Sequence, residues 1–403
     1  ATVKAITDGF GGTLGSIGII IGFGVMMGAI FEMSGAAERM ATTFLKLFGK
    51  NHEEWALALT GFIVSIPIFC DSGFVILAPL AKALSKKTKK SMVSLGVALA
   101  GGLVITHSLV PPTPGPLGVA GTFGINVGQF ILLGIVISVP MAIATTLYAK
   151  WLGKRIYQIP SEDGESWERP PYQEPQYDSI TTEEDKQLPS AFLSFLPIVA
   201  PIILILMNTI SSAAKQTEGI FSVLIFLGTP IIAVGIGLLL AIYTLTLKTS
   251  RKIVMEKMEN GIKSAGIIIL VTGGGGELGN VLQIRGVGDF IANQIVKTPI
   301  PVIILPFLIA TLLRFAQGSG TVAMLTSAAI TAPIVSAAGG NMLLGAFAAC
   351  TGALFFSYFN DSFFWVTNRL MGISETKEQI RVWSVTTTIA WGVGFIVLLI
   401  LNI

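Results

Sequence analysis

From Pro299 to Val335 the chain carries a single charge, Arg314, next to a Gly318-Ser319-Gly320 break in the stretch TLLRFAQGSGTVAMLT. A guanidinium held deep in apolar sequence is costly, and ionisable groups retained there mark solute or ion pathways. The run reads as a re-entrant hairpin whose tip binds an anionic solute. Every other Lys or Arg can be placed in a loop or at a membrane edge.

Composition agrees with that setting. Of 403 residues 52% are hydrophobic and 12% charged, and the mean hydropathy is +0.76, far from an average soluble domain. The expected class is an all-α polytopic membrane protein. The net charge of +3 concerns topology and not nucleic acid, because the charges are unevenly placed along the chain. Cys70 and Cys350 both lie in apolar runs, so neither a disulfide framework nor a metal site is expected. No cofactor motif is present: GGGG at Gly273 to Gly276 lacks the Lys-Ser or Lys-Thr of a phosphate loop, and close helix packing is its better reading.

In chain order, Leu14 to Met33 makes a first span, followed by an amphipathic piece, SGAAERMATTFLKLFGKNHEE. Trp55 to Leu84 is too long for one straight span and too short for two, and Pro67, Asp71, Ser72 and Gly73 interrupt it. A second re-entrant hairpin fits, since irregular backbone at membrane depth must face protein or a wet cavity. Ser91 to Val110 runs into THSLVPPTPGP, whose four prolines forbid a continuous helix. Val127 to Trp151 closes the first unit, and Leu152 to Pro189, with nine acids, is an acidic linker. Spans at Ala191 to Ile210 and Ile220 to Leu247 follow, then a basic amphipathic stretch, KTSRKIVMEKMENGIK, and a span from Ser264 to Leu282. A surface piece around Asp289, the hairpin holding Arg314, a helix from Met342 broken at SYFNDSFF and a last span from Val382 to Ile403 complete the chain.

The parts repeat. At an offset of 251 residues, Gly15, Gly22, Gly24, Gly28 and Gly35 fall on Gly266, Gly273, Gly275, Gly279 and Gly286. Smaller shifts superpose the two tips and the two broken spans. Recurrence of the whole series points to internal duplication, and an odd number of crossings per unit gives the units opposite orientation, as in many transporters built of inverted repeats. The expected domains are residues 1–151 as the first inverted repeat, 152–189 as a cytoplasmic acidic linker and 190–403 as the second repeat. The first unit lacks two leading spans, so about fifty residues are expected ahead of Ala1, judged from span length.

Charge tests the topology. With both hairpins turning back, 21 of the 26 Lys and Arg collect on one side, which the positive-inside rule makes cytoplasmic. The linker then lies inside and the C-terminus outside.

The two tips and the two broken spans are expected to meet near the midplane. Half-helix N-termini offer free N–H groups and positive dipole ends there, and Ser, Thr and Asn add donors for a carboxylate or a polyhydroxylated anion. Several residues have two readings. Arg314 pairs with substrate or caps a helix end. Asp71 and Asp361 cap a second half-helix or carry a proton. Glu277 is structural or part of a proton relay, and His107, the one membrane histidine, is a satisfied hydrogen-bonding residue or a switch. His52 with Glu53 and Glu54 reads as a solvated cluster.

Taken together, GGTLGSIGIIIGFGVMMGAIFEMSGAAERMA, FCDSGFVILAPLA, HSLVPPTPGP, RFAQGSGTVAM and FNDSFFW resemble the gluconate permease family, gluconate:proton symporters of bacterial inner membranes. The resemblance covers nearly the whole chain outside the acidic linker. It implies transport of aldonic and related small hydroxy acids, or D-serine, by hairpin-bearing domains that move as elevators against a dimeric scaffold. It further implies a site lined by Asp71, Ser72, Gly73, His107, Ser108, Thr113, Arg314, Gly318, Ser319, Gly320, Thr321, Asn360 and Asp361, with Ser362 among the hydroxyls. Members handling gluconate or D-serine often have Val where this chain has Ser72, and other residues in place of TPGP, so a smaller acid such as glycerate is also open.

The expectation is a proton symporter for a small hydroxy-carboxylate, acting as a homodimer in the bilayer. Arg314 and the hairpin N-termini hold the carboxylate, hydroxyls and Asn360 bind the substrate's hydroxyls, and Asp71, Asp361 or Glu277 carries the proton. The competing readings are a sodium-coupled carboxylate symporter, an intramembrane enzyme and a channel-like module. The enzyme reading is disfavoured because there is no HExxH and no nucleophile with a base at suitable spacing.

Overall fold

The computed structural model describes residues 2–49, 51–161, 166–172, 188–213, 218–247, 249–284 and 301–402. The surface piece around Asp289 and most of the acidic linker lie outside the described residues. Apart from one pair of two-residue strands, the described chain is helical wherever it is regular. Five described helices are long and apolar enough to cross a membrane, and two bent pairs add to them.

Helix α1 (Thr2–Ser34) turns by 70° into α2 (Ala36–Phe48). The first hairpin is α3 (Glu53–Val64) and α4 (Cys70–Thr88), and the first broken span is α5 (Met92–Leu109) and α6 (Pro114–Thr122). Helix α7 (Val127–Arg155) closes that half. The second half opens with α8 (Ala191–Ala213), α9 (Ile220–Leu227), α10 (Pro230–Leu245) and α11 (Arg251–Ile284). Its hairpin is α12 (Ile304–Gln317) and α13 (Gly320–Ala337), and its broken span is α14 (Met342–Gly352) and α15 (Ser362–Leu370). Helix α16 (Thr376–Leu401) ends the chain, with one π-helical turn at Ile380–Ser384.

Three details differ from the sequence reading. The basic stretch and the span after it form one helix, α11, since nothing between Arg251 and Ile284 breaks the backbone pattern. The span expected from Ile220 to Leu247 is instead two helices bent by 72°, because Pro230 opens α10 and leaves Thr229 extended (ψ 127°). The chain past Trp151 stays ordered at first: α7 continues to Arg155, and β1 (Ile159–Pro160) pairs antiparallel with β2 (Trp167–Glu168). Just beyond, Arg169 donates to Gln158 Oε1 (2.7 Å) and makes a bidentate bond to Glu378 (2.8 and 2.7 Å), fastening this segment to the second half.

The two halves pack alike at one point. In the first half Gly102 of α5 lies so close to α3 that an added Cβ would sit 2.0 Å from the Ala58 carbonyl oxygen. In the second half Gly352 of α14 meets the Phe307 carbonyl of α12 in the same way, at 2.3 Å. Each broken span therefore presses backbone to backbone on the first arm of its own hairpin, which only a residue without a Cβ allows. Corresponding helices also pack on each other, α1 along α11 and α7 along α16.

Candidate functional site

At the tip of the second hairpin, α12 ends on Gly318, whose φ of 83° is the left-handed conformation that glycine adopts without penalty. Its missing Cβ also matters, since one would lie 2.2 Å from the Asn360 carbonyl oxygen. The tip is thus wedged onto the SYFNDSFF break. Ser319 then caps α13, its Oγ accepting from Val322 N at 3.3 Å. From the break, Asn360 Nδ2 and Tyr358 Oη reach back to the Phe315 carbonyl at 3.1 and 2.9 Å.

Arg314 sits one turn before this tip and is 5% exposed. Its Nη1 donates to the Gly318 carbonyl and its Nη2 pairs with Asp361 Oδ2 at 2.5 Å. Asp361 is held on three sides. It caps α15 through Phe363 N (3.2 Å), takes Arg314, and accepts from Ser357 Oγ, which is itself oriented by Trp383 Nε1 at 2.9 Å. Of the two readings for Asp361 the structure shows the cap, together with an ion pair.

Asp71 behaves differently. The N-cap of α4 is Phe69, with no side-chain capping bond, so Asp71 does not cap this half-helix. Its Oδ1 accepts from Ser362 Oγ at 3.2 Å, across the boundary between the two halves. No Lys or Arg among the described residues makes an ion pair with it.

These groups surround a cavity of about 310 Å³, the size of many small-ligand sites. Hairpin one contributes Cys70 and Asp71, and α5 contributes Val104, His107 and Ser108. Hairpin two contributes Arg314, Gln317, Gly318, Ser319, Gly320 and Thr321. Asn360, Asp361 and Ser362 come from the second break, and Thr387 from α16. His107 Nδ1, Asn360 Oδ1 and Arg314 Nε are buried and lack a hydrogen-bond partner, so the wall carries unspent polar capacity of the kind a polar ligand satisfies.

Three of the expected site residues are not brought to this cavity. The side chain of a fourth, Ser72, lies outside the described residues. Gly73 faces Leu103, where an added Cβ would be 2.7 Å from Cδ2. The Thr113 hydroxyl is spent on the Val110 carbonyl at 2.8 Å, inside the prolyl turn. Glu277 lies on α11, the helix that packs along α1, and does not line the cavity. Three of the four half-helix N-termini, those of α4, α13 and α15, open on the cavity; that of α6 does not.

Cys70, Gln317, Ser357 and Thr387 are not among the site residues expected from the sequence. Cys70 and Gln317 flank the two tips, so the motifs FCDSGF and FAQGSG held a signal. Ser357 opens the SYFNDSFF break, so that motif held a signal for it too, whereas Thr387 carried none, because a lone hydroxyl in an apolar helix usually bonds its own backbone. Chemically the cavity offers two carboxylates, one guanidinium, hydroxyls, an imidazole and three helix N-termini. That set suits binding and proton exchange with a small polar anion.

Comparison with known proteins agrees with this chemistry. A family model described as GntP family permease matches residues 1–403. An uncharacterized permease of Haemophilus influenzae is 52% identical, over 100% of this chain and 83% of the relative. The gluconate permease of Bacillus subtilis is 33% identical, over 98% of this chain and 89% of the relative. Among solved structures, the Alcanivorax borkumensis YdaH transporter superposes with a TM-score of 0.66 over 98% of this chain and 88% of its own; at 13% identity the likeness is one of fold.

Proposed function

The chain belongs to the GntP permease family, and from that premise we propose that it imports a small hydroxy-carboxylate, gluconate or a related sugar acid, or a shorter acid such as glycerate, together with protons. The observation that carries the coupling is the charge inventory of the cavity. Asp71, Asp361 and Arg314 line it, giving a net charge of minus one when all three are ionised. An anionic substrate entering that set would double the uncompensated buried charge, which is costly away from water. Protonation of one carboxylate removes the conflict.

In the proposed cycle Asp71, which has no cation partner among the described residues, takes the proton. Arg314 turns part of its guanidinium from Asp361 to the substrate carboxylate. Ser108, Ser319, Thr321 and Ser362, with His107 and Asn360, take the substrate's hydroxyls. The α13 and α15 N-termini add positive dipole ends. Alternating access follows an elevator-type movement of the hairpin-bearing halves in a homodimer. The lysine-rich ends face the cytoplasm, with the linker inside and the C-terminus outside.

Purified protein in proteoliposomes tests this. An inward proton gradient should drive saturable uptake of gluconate or glycerate, and exchange of sodium for potassium at fixed pH should leave the rate unchanged. Absence of uptake of either acid, or uptake that follows sodium, defeats the reading.

A further inference from the structure

A second cavity, of about 280 Å³, lies at the opposite end of α4 from the first tip, where the turn between α4 and α5 meets the end of α7. Five charged residues line it: Lys89, Lys90, Lys150, Lys154 and Glu54. The carboxylate is already engaged. Glu54 Oε2 takes Lys90 Nζ at 2.6 Å, and Ser94 Oγ lies 3.4 Å from Oε1. Lys90 also reaches Glu53 at 2.8 Å, so its own charge is spent on two acids. Lys89, Lys150 and Lys154 remain, and none of the three pairs with an acid among the described residues.

The three lysines are held in place by the fold. Lys150 and Lys154 are four residues apart on α7, hence on one face. Lys89 has a left-handed backbone, φ 55°, where glycine would be the unstrained choice. Its carbonyl is fixed by Tyr157 Oη at 2.7 Å. The turn is further fastened to the chain after α7 by Ser91 Oγ to the Ile156 carbonyl (2.9 Å) and by Met92 N to the Gln158 carbonyl (2.7 Å). Three lysines thus line one preformed concavity, at the lysine-rich end of the helices.

We propose that this cavity binds a phosphate-bearing anion, supplied by the headgroup of an anionic phospholipid. A phosphodiester is compact, offers several acceptor oxygens and matches three point-charge donors that cannot fork as arginine does. Basic pockets between membrane helices near the bilayer surface are suited to such headgroups. Binding there bridges the foot of the first hairpin to α7, at a distance from the transport cavity.

Thermal unfolding of the purified chain in neutral detergent tests the proposal, because a ligand of the folded state raises the midpoint. Phosphatidylglycerol should raise it and phosphatidylcholine should not. In the K150Q/K154Q variant the half-saturating phosphatidylglycerol concentration should rise about tenfold or more, and K150R/K154R should retain the wild-type value, which guards against a general folding defect. If inorganic phosphate alone gives a saturable rise that K150Q/K154Q abolishes, the anion chemistry holds and the occupant is free phosphate. An equal response to phosphatidylcholine, or an unchanged half-saturation in K150Q/K154Q, overturns the proposal.

Discussion

Arg314 and Asp361 form a buried ion pair, 2.5 Å between Nη2 and Oδ2, that ties the tip of the second hairpin to the second broken span. The residues lie 47 positions apart, and both line the central cavity. The pair joins two walls of the cavity, and Arg314 Nε is left buried without a hydrogen-bond partner.

Arg314→Gln should therefore reduce gluconate or glycerate uptake to background and remove substrate-induced thermal stabilisation. It also leaves Asp361 without its cation, a loss of about 3–5 kcal/mol for a buried pair. The double variant R314Q/D361N should recover most of that stability without recovering transport, because the stranded charge is gone but the carboxylate ligand is still missing. Normal uptake by Arg314→Gln would refute the assigned role.

Asp71 has a hydroxyl partner, Ser362 at 3.2 Å, and no cation partner among the described residues, so neutralising it strands no neighbouring charge. Asp71→Asn should keep substrate-induced stabilisation and counterflow exchange while net uptake loses its dependence on pH. Measurements at pH 5.5 and 7.5 decide this. A pH dependence like that of the wild type would move the proton to Asp361 or elsewhere.

Much of this arrangement was legible because bilayer length and helix breakers are local signals. Three of the breaks, at VPPTPGP, QGSG and SYFNDSFF, interrupt the helices where the sequence indicates, whereas the first lies just ahead of FCDSGF, at residues 65–69, because Asp71, Ser72 and Gly73 already belong to α4. Which side chains face one another was not legible. Asp71 touches Ser362, 291 residues away, and Thr113 turns inward to its own turn; both outcomes depend on how the half-helices rotate when packed. The bend at Pro230 was missed because a proline at the first turn of a helix leaves an apolar run intact. Glu53 and Glu54 look solvated by composition, yet they are 1% and 4% exposed, since Lys90, 36 residues beyond Glu54, folds back on them.

The close approach of each broken span to its hairpin makes a paired prediction. Gly102→Ala and Gly352→Ala place a methyl 2.0 and 2.3 Å from backbone oxygens and should each destabilise by about 1–3 kcal/mol or more, read as a lower unfolding midpoint. Gly392→Ala is the control: nothing lies within 4 Å of its added Cβ, and removing a mid-helix glycine should gain about 0.5–1 kcal/mol. Equal behaviour of the three would contradict the packing described.

Lys90 gives the fold a pH dependence at the alkaline end. Burial alone would lower its pKa, but the Glu54 and Glu53 carboxylates outweigh this and hold the ammonium above its ordinary value of 10.5. A raised folded-state pKa means that its contribution is complete below the unfolded value and is lost as pH rises through the folded one. The unfolding midpoint should hold to about pH 10 and fall above it. Lys90→Met should be less stable at pH 8 and should flatten that alkaline fall, and an unchanged fall would assign it to other groups.

Cys70 reports on occupancy of the central cavity. It lines the wall beside Asp71, whereas Cys350 is fully buried in α14 and does not line it. With Cys70 only 6% exposed, a small methanethiosulfonate should react slowly at this one position, adding bulk next to the carboxylate and the α4 N-terminus. Uptake should fall as the reaction proceeds, Cys70→Ala should resist it, and saturating substrate should slow it, because ligand and reagent compete for the same 310 Å³. Modification at an unaltered rate in the presence of a transported acid would place the substrate elsewhere.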